Sequence, residues 1–173
     1  MKDQQKTIGP EFIEEFIARA VTGKVYKFRG RITSIRKHAK RAFLDLSDHT
    51  GTVQIVIEKD KFEDYSRFAT LSAGSYIEAE GKYSAAVSPP ELKAASLNII
   101  SKATIPLSPN PWEIDGTNKK YVNQIFNFTE FYIANPQRAA ILKIKTNFVR
   151  ALHDYFQKNK FTLVEPPILI DKI

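Results

Sequence analysis

Residues 24–57 read KVYKFRGRITSIRKHAKRAFLDLSDHTGTVQIVI, and their spacing decides the fold. Three runs in this stretch alternate apolar and polar residues with period two, the mark of half-buried strands. In the first, Tyr26, Phe28 and Ile32 share one face, and Lys27, Arg29 and Arg31 share the other. In the second, Ala42, Leu44 and Leu46 take the core parity and leave Phe43, Asp45 and Ser47 opposite. In the third, Val53, Ile55 and Ile57 point inward, and Gln54 and Val56 outward. Ile35 falls on the cationic parity, so a bulge or bend after Gly30 is expected to restore the phase. The outward surface therefore collects cations, one ring and one amide. Cations hold phosphates, a ring stacks on a base, and an amide both donates and accepts at a base edge.

Working outward, Ser47-Asp48-His49-Thr50-Gly51 is a short hairpin loop with glycine at its end. DKFEDYSRFATL, residues 60–71, has helical spacing in Phe62, Tyr65 and Phe68. Strands are predicted at about 75–84 and 92–102, with Pro89-Pro90 in the loop between them. The order β-β-β-α-β-β matches the OB-fold, a five-stranded Greek-key barrel that binds oligonucleotides on one face. Ahead of it, residues 9–22 predict a short helix opened by Pro10, with Glu11, Glu14 and Glu15 near its positive end and Gly23 as its stop.

Behind the barrel the character changes. Residues 103–120 hold prolines at 106, 109 and 111 and show no periodicity, which reads as a linker. Asn135 then caps a long amphipathic helix whose stripe is Ile141, Ile144, Phe148, Leu152 and Tyr155. FTLVEPPILI, residues 161–170, predicts an extended strand, and its prolines confine that strand to an edge or interface. The expected organisation is a helix and OB barrel over 1–102, a linker over 103–134, and a truncated α/β piece over 135–173. The class is mainly β with helices.

Composition narrows the functions. A 43 % hydrophobic share supports a core, and the net charge of +7 favours anionic partners, nucleic acid or acidic membrane. With no cysteine, disulfides, thiolate metal sites and cysteine nucleophiles are excluded. No apolar run has the length of a membrane span and no signal peptide opens the chain, so a cytoplasmic protein without membrane association is expected. His38, His49 and His153 lack metal-ligand spacing, and no serine, histidine and aspartate grouping or glycine-rich phosphate loop occurs. Neither catalytic nor metal-binding residues are expected in the chain.

The pattern GRITSIR…AFLDLSDHTGTVQIVI resembles the anticodon-binding OB-fold of class II aminoacyl-tRNA synthetases of the aspartyl, asparaginyl and lysyl subgroup. NPQRAAILKIKTNFVRALHDYFQKNKFTLVEPPIL resembles the first class II signature, a long helix and a strand ending in a required proline, here Pro167. The likeness runs over about residues 10–170. VEPPIL and RAAILKIKTNF point first to the asparaginyl branch, then to the aspartyl and the lysyl. Two positions depart from the pattern: Lys160 stands where a glycine is usual before the aromatic, and Glu130 where a basic residue is usual.

This resemblance implies a tRNA anticodon loop as partner, with Phe43 stacking on a base and Gln54 recognising the central uridine of the subgroup's anticodons. It implies phosphate or base contacts from Arg31 and Arg36, and from Arg29 beside them. It also implies a homodimer whose contact includes Ile144, Phe148, Leu152 and Pro167. The full-length enzyme would use ATP and Mg²⁺ to esterify its amino acid to tRNA. The signatures that bind ATP are not found here, so this chain alone is expected to need no cofactor and to be inactive. The alternative is a stand-alone OB-fold module that binds single-stranded nucleic acid without ligase activity.

Overall fold

A computed structural model describes residues 12–62, 65–68, 70–104, 108–116 and 118–167. Five strands form: β1 (Val25–Lys37), β2 (Arg41–Ser47), β3 (Thr52–Glu58), β4 (Tyr76–Ser84) and β5 (Glu91–Ser101). They close into a barrel in the order β1-β2-β3-β5-β4. All neighbours are antiparallel except β3 and β5, whose short parallel pairing runs from Gln54↔Glu91 to Val56↔Lys93. Closure leaves no long unpaired edge. The inward parity holds as expected: Phe28, Ile32, Leu44, Leu46, Val53, Ile55 and Ile57 are all buried. Ile77, Ala79, Tyr83 and Leu92 complete the core from β4 and β5.

The phase break in β1 is a bulge. The β1–β2 register shifts between Ile32 and Ser34, so Thr33 is the extra residue, and Ile35 returns to pack against the core. Thr33 is buried, and its hydroxyl donates to the Asp45 carbonyl at 3.2 Å. Glycines stand where strands approach most closely. A Cβ at Gly30 would lie 2.8 Å from the Ser47 carbonyl oxygen, and one at Gly81 would overlap the Lys93 carbonyl.

The first helix is shorter than its sequence pattern. Among the described residues α1 spans Ile13–Ile17, and then the chain tightens into i→i+3 bonds from Arg19 to Phe16 and from Ala20 to Ile17. Pro10 and Glu11 lie outside the described residues. Phe16 packs edge-on against Tyr26 at 4.7 Å and Phe28 at 4.8 Å, bracing the barrel. Phe12, at the N-cap position, supplies no side-chain hydrogen bond; Asp48 in the β2–β3 turn caps the helix from afar. Its Oδ2 accepts from the Ile13 N–H at 2.8 Å, and its Oδ1 accepts from the Thr50 N–H, the Thr50 hydroxyl and the Gly51 N–H. Partial burial pushes the Asp48 carboxyl up, but these donors outweigh it and hold the group below its ordinary value. The segment between β3 and β4 is also less regular than one helix: a 3₁₀ turn at Lys59–Lys61 precedes α2 (Tyr65–Phe68).

The chain divides into two units, Met1–Glu113 and Ile114–Ile173. The span 103–134, read as a linker, is shared between them and carries α3 (Val122–Asn127) and α4 (Thr129–Tyr132). Ile125 and Tyr132 are buried there. α5 (Pro136–Lys158) begins at Asn135, whose Oδ1 accepts from the Gln137 and Arg138 N–H groups at 3.1 and 3.3 Å. The Asn135 amide also donates to the Ile114 carbonyl at 3.0 Å, and the Gly116 N–H donates to Gln137 Oε1 at 2.6 Å. Residues 161–167 form no strand; residues 168–170 of the expected strand lie outside the described residues.

Candidate nucleic-acid interface

Strand register builds the outer face of β1–β3 as a grid. A four-residue turn, Asp48–Gly51, sets Ser47 opposite Thr52 and so fixes every later pair of the hairpin. Asp45 stands opposite Gln54 on β3 and Ser34 on β1, and Phe43 opposite Val56 and Arg36. Because alternate residues share a face, Phe43, Asp45, Gln54 and Arg36 lie within one small patch.

Phe43 is half-buried on the outward parity. The His38 ring meets it edge-on, with centroids 5.6 Å apart and planes at 84°. His38 itself is exposed, as expected of a surface residue. Val56, read as outward, keeps that parity but is buried. Its flanking partners in register, Phe43 on one side and Lys93 on the other, explain how an outward valine loses its solvent. The ring therefore rests beside an apolar floor, which restrains its orientation.

Of the arginines, Arg36 alone sits directly across from Phe43. Arg31 pairs with Ser47, four residues along β2 from Phe43, or about 13 Å at the usual strand rise. It forms no ion pair with a described residue, so its guanidinium is available at the rim of the face. Arg29 is not brought to the patch. At that point β1 pairs with β4, and Arg29 is hydrogen-bonded to Glu78. Lys27 joins the same network at 3.3 Å from Glu78 and 3.4 Å from Glu80. The Arg29 hydrogen bond holds Glu78 below the ordinary carboxylate value, and the Glu78 hydrogen bond raises Lys27. The alternation that put Lys27, Arg29 and Arg31 on one face was right, but the carboxylates that neutralise two of them sit on a strand far away in sequence. At the loop end, Arg41 pairs with Glu58 at 3.2 Å, and Lys61 shares the same carboxylate and depresses it.

Asp45 is the residue that the strand pattern did not single out. Its Oδ1 accepts from Arg36 at 3.1 Å and from Gln54 Nε2 at 3.3 Å, so one carboxylate ties the cation to the amide. The turn length and the parity it shares with Phe43 were the available signals. No three His, Cys, Asp or Glu side chains gather as a metal site among the described residues. No described helix is long and apolar enough to cross a membrane.

Residues 26–100 match the tRNA anti-codon family of OB-fold nucleic acid binding domains. The match takes in the barrel. It is 30 % identical over 151 residues to a lysine–tRNA ligase of Fervidobacterium nodosum, covering 86 % of this chain and 29 % of the ligase. It is 29 % identical over 158 residues to an aspartate–tRNA ligase of Lactobacillus johnsonii, covering 85 % and 25 %. A crystal structure of asparaginyl-tRNA synthetase from Pyrococcus horikoshii, complexed with asparaginyl-adenylate, shares the fold with a TM-score of 0.76. It is 24 % identical over 94 % of this chain and 37 % of that one. The chain thus spans about a quarter to a third of the ligases it matches in sequence. The expected five-stranded OB fold followed by helices is what the barrel family and the structural likeness both show.

Proposed function

We propose that the outer face of β1–β3 holds the anticodon loop of a tRNA, as the anticodon-binding part of a class II aminoacyl-tRNA synthetase of the asparaginyl, aspartyl and lysyl subgroup. The observation that carries this reading is the patch itself: a half-buried ring, a guanidinium opposite it and an amide one register row away, on a barrel of the anticodon family. Phe43 stacks on an unpaired base, Gln54 reads a neighbouring base edge, and Arg36 and Arg31 meet phosphates or planar base edges. Arg29 acts at a distance, through a network already balanced by Glu78.

Within the subgroup the asparaginyl assignment leads on the sequence of α5 and the segment after it. The whole enzyme would then join asparagine to its tRNA with ATP and Mg²⁺ in the cytoplasm. The exposed α5 face of Ile144, Phe148 and Leu152, with Pro167, would meet a second copy of the protein. Purified alone, this chain should show no ATP–pyrophosphate exchange.

Titration of the chain with an anticodon stem-loop tests the binding reading. Phe43→Ala should weaken affinity by roughly tenfold or more, as expected for loss of one stacked base. Affinity should also fall steeply with added salt. Binding that Phe43→Ala leaves unchanged would refute this use of the face.

A further inference from the structure

Asp45 occupies an unusual place for a carboxylate. It lies at the centre of a face read above as an RNA surface, with its side chain 18 % exposed, between Arg36 and Gln54. A negative charge there repels phosphate, so the backbone of a bound strand is directed to the rim, where Arg31 forms no ion pair with a described residue. What remains for the centre is a base.

The same carboxylate decides how Gln54 is turned. An ionised carboxylate only accepts hydrogen bonds, so the side of the amide facing Asp45 must be the nitrogen. The 3.3 Å contact from Gln54 Nε2 to Asp45 Oδ1 is that bond. The amide carbonyl is thereby turned away, and Gln54 Oε1 has no hydrogen-bond partner among the described residues. The Gln54 backbone is fixed as well, because its N–H donates to the Pro90 carbonyl at 2.8 Å. Arg36, bonded to the same Oδ1 at 3.1 Å, holds the Asp45 carboxylate in place.

We propose that Asp45 is a specificity-determining positioning residue. By fixing the Gln54 amide with its carbonyl outward, it selects an unpaired base that carries an imino N–H, such as uracil, over a base with a ring-nitrogen acceptor, such as cytosine. This rests on the reading of the face as an RNA-binding surface. Without Asp45 the amide turns over freely and offers donor or acceptor alike, so both kinds of base are accepted.

The test uses the whole chain and three anticodon stem-loops: one with uridine at the centre, one with cytidine, and one with N3-methyluridine, which keeps the ring but lacks the donor. The wild type should prefer uridine by roughly tenfold over each of the other two, the size of one good base-edge contact. In Asp45→Asn, whose side chain donates as well as accepts, that preference should fall to within about threefold, while affinity for the cytidine loop holds or rises. A purely structural role would lower affinity for all three loops together and leave their ratio unmoved. A wild type that binds the loops but treats uridine and N3-methyluridine alike overturns the proposal and spares the anticodon reading, whether or not the variant folds. Retention of the full preference in a folded Asp45→Asn does the same. Failure of the wild type to bind any of the loops overturns both.

Discussion

In the barrel, Ile55, Ile77 and Leu92 are fully sealed from solvent at 0 % exposure; on α5, Ile144 and Phe148 stand 70 % and 64 % exposed. Both regions carry ample apolar residues, and both have the periodicity of their element. The difference is what each element can complete by itself. A sheet that closes on itself pairs its strand edges and gathers its inner side chains into one core. A helix pairs its own backbone whatever lies around it, so Asn135 and the α5 hydrogen bonds form without burying a single α5 residue. Periodicity therefore predicts the element in both regions but predicts burial only where the topology closes.

Paired truncations give the largest contrast. Ile55→Ala removes packed atoms from a closed core and should cost about 2–5 kcal/mol in urea or thermal unfolding. Ile144→Ala, chemically the same change, should cost under about 0.5 kcal/mol, as surface substitutions do. Similar losses for the two would show that the α5 face is covered in solution, and a concentration-dependent melting temperature abolished by Ile144→Ala would identify a second copy as the cover.

A smaller effect concerns how the barrel holds its helix. Asp48 joins the hairpin turn to the start of α1 and is held below its ordinary value of 3.8 in the fold. A carboxyl with a lowered folded value adds stability above its unfolded value, and that stability is lost as pH falls through the folded value. The barrel should thus be steadily less stable as pH drops below about 4. Asp48→Asn should cost about 1 kcal/mol at neutral pH and flatten the acid slope of α1 unfolding, followed by fluorescence or hydrogen exchange. An acid slope unchanged by the substitution would move the effect to Glu78 or Glu58, which are also depressed.

The first three strands, their inward parity and the bulge after Gly30 were legible in residues 24–57, because a buried face leaves no freedom in a period of two. The helix cap at Asn135 was legible because the N–H groups it serves lie two and three residues on, at Gln137 and Arg138. What escaped was set by partners distant in sequence. Arg29 is compromised by Glu78, forty-nine residues on, and of the helices predicted over 9–22 and 60–71 the described residues show α-helix only at Ile13–Ile17 and Tyr65–Phe68. Asp45 was missed for a different reason. A carboxylate in a basic, ring-bearing strand reads as a turn or strand filler until the pairing with Gln54 gives it a task.

The end of α5 offers the finest test of the contrast, since it is a local structure with no tertiary support. Lys160 has φ of +66°, in the left-handed region that a side chain disfavours. The hydrogen bonds explain why. The Phe161 N–H donates to the Phe156 carbonyl at 3.0 Å and the Lys160 N–H to the Gln157 carbonyl at 3.0 Å, a complete Schellman closure. The Phe156 and Phe161 rings meet edge-on at 5.5 Å, the apolar contact that accompanies such a closure. The position calls for glycine, which is also the residue usual there in the family pattern, and lysine occupies it under strain. Lys160→Gly should stabilise the helix end by about 0.5–1 kcal/mol, the relief of strain less the added freedom of the unfolded chain. Slower hydrogen exchange at the Lys160 and Phe161 amide positions would report it. Lys160→Ala keeps the Cβ and should show no such gain. An equal gain from both would place the cause in the lysine's charge rather than its backbone, and the left-handed turn would lose its part in ending the helix.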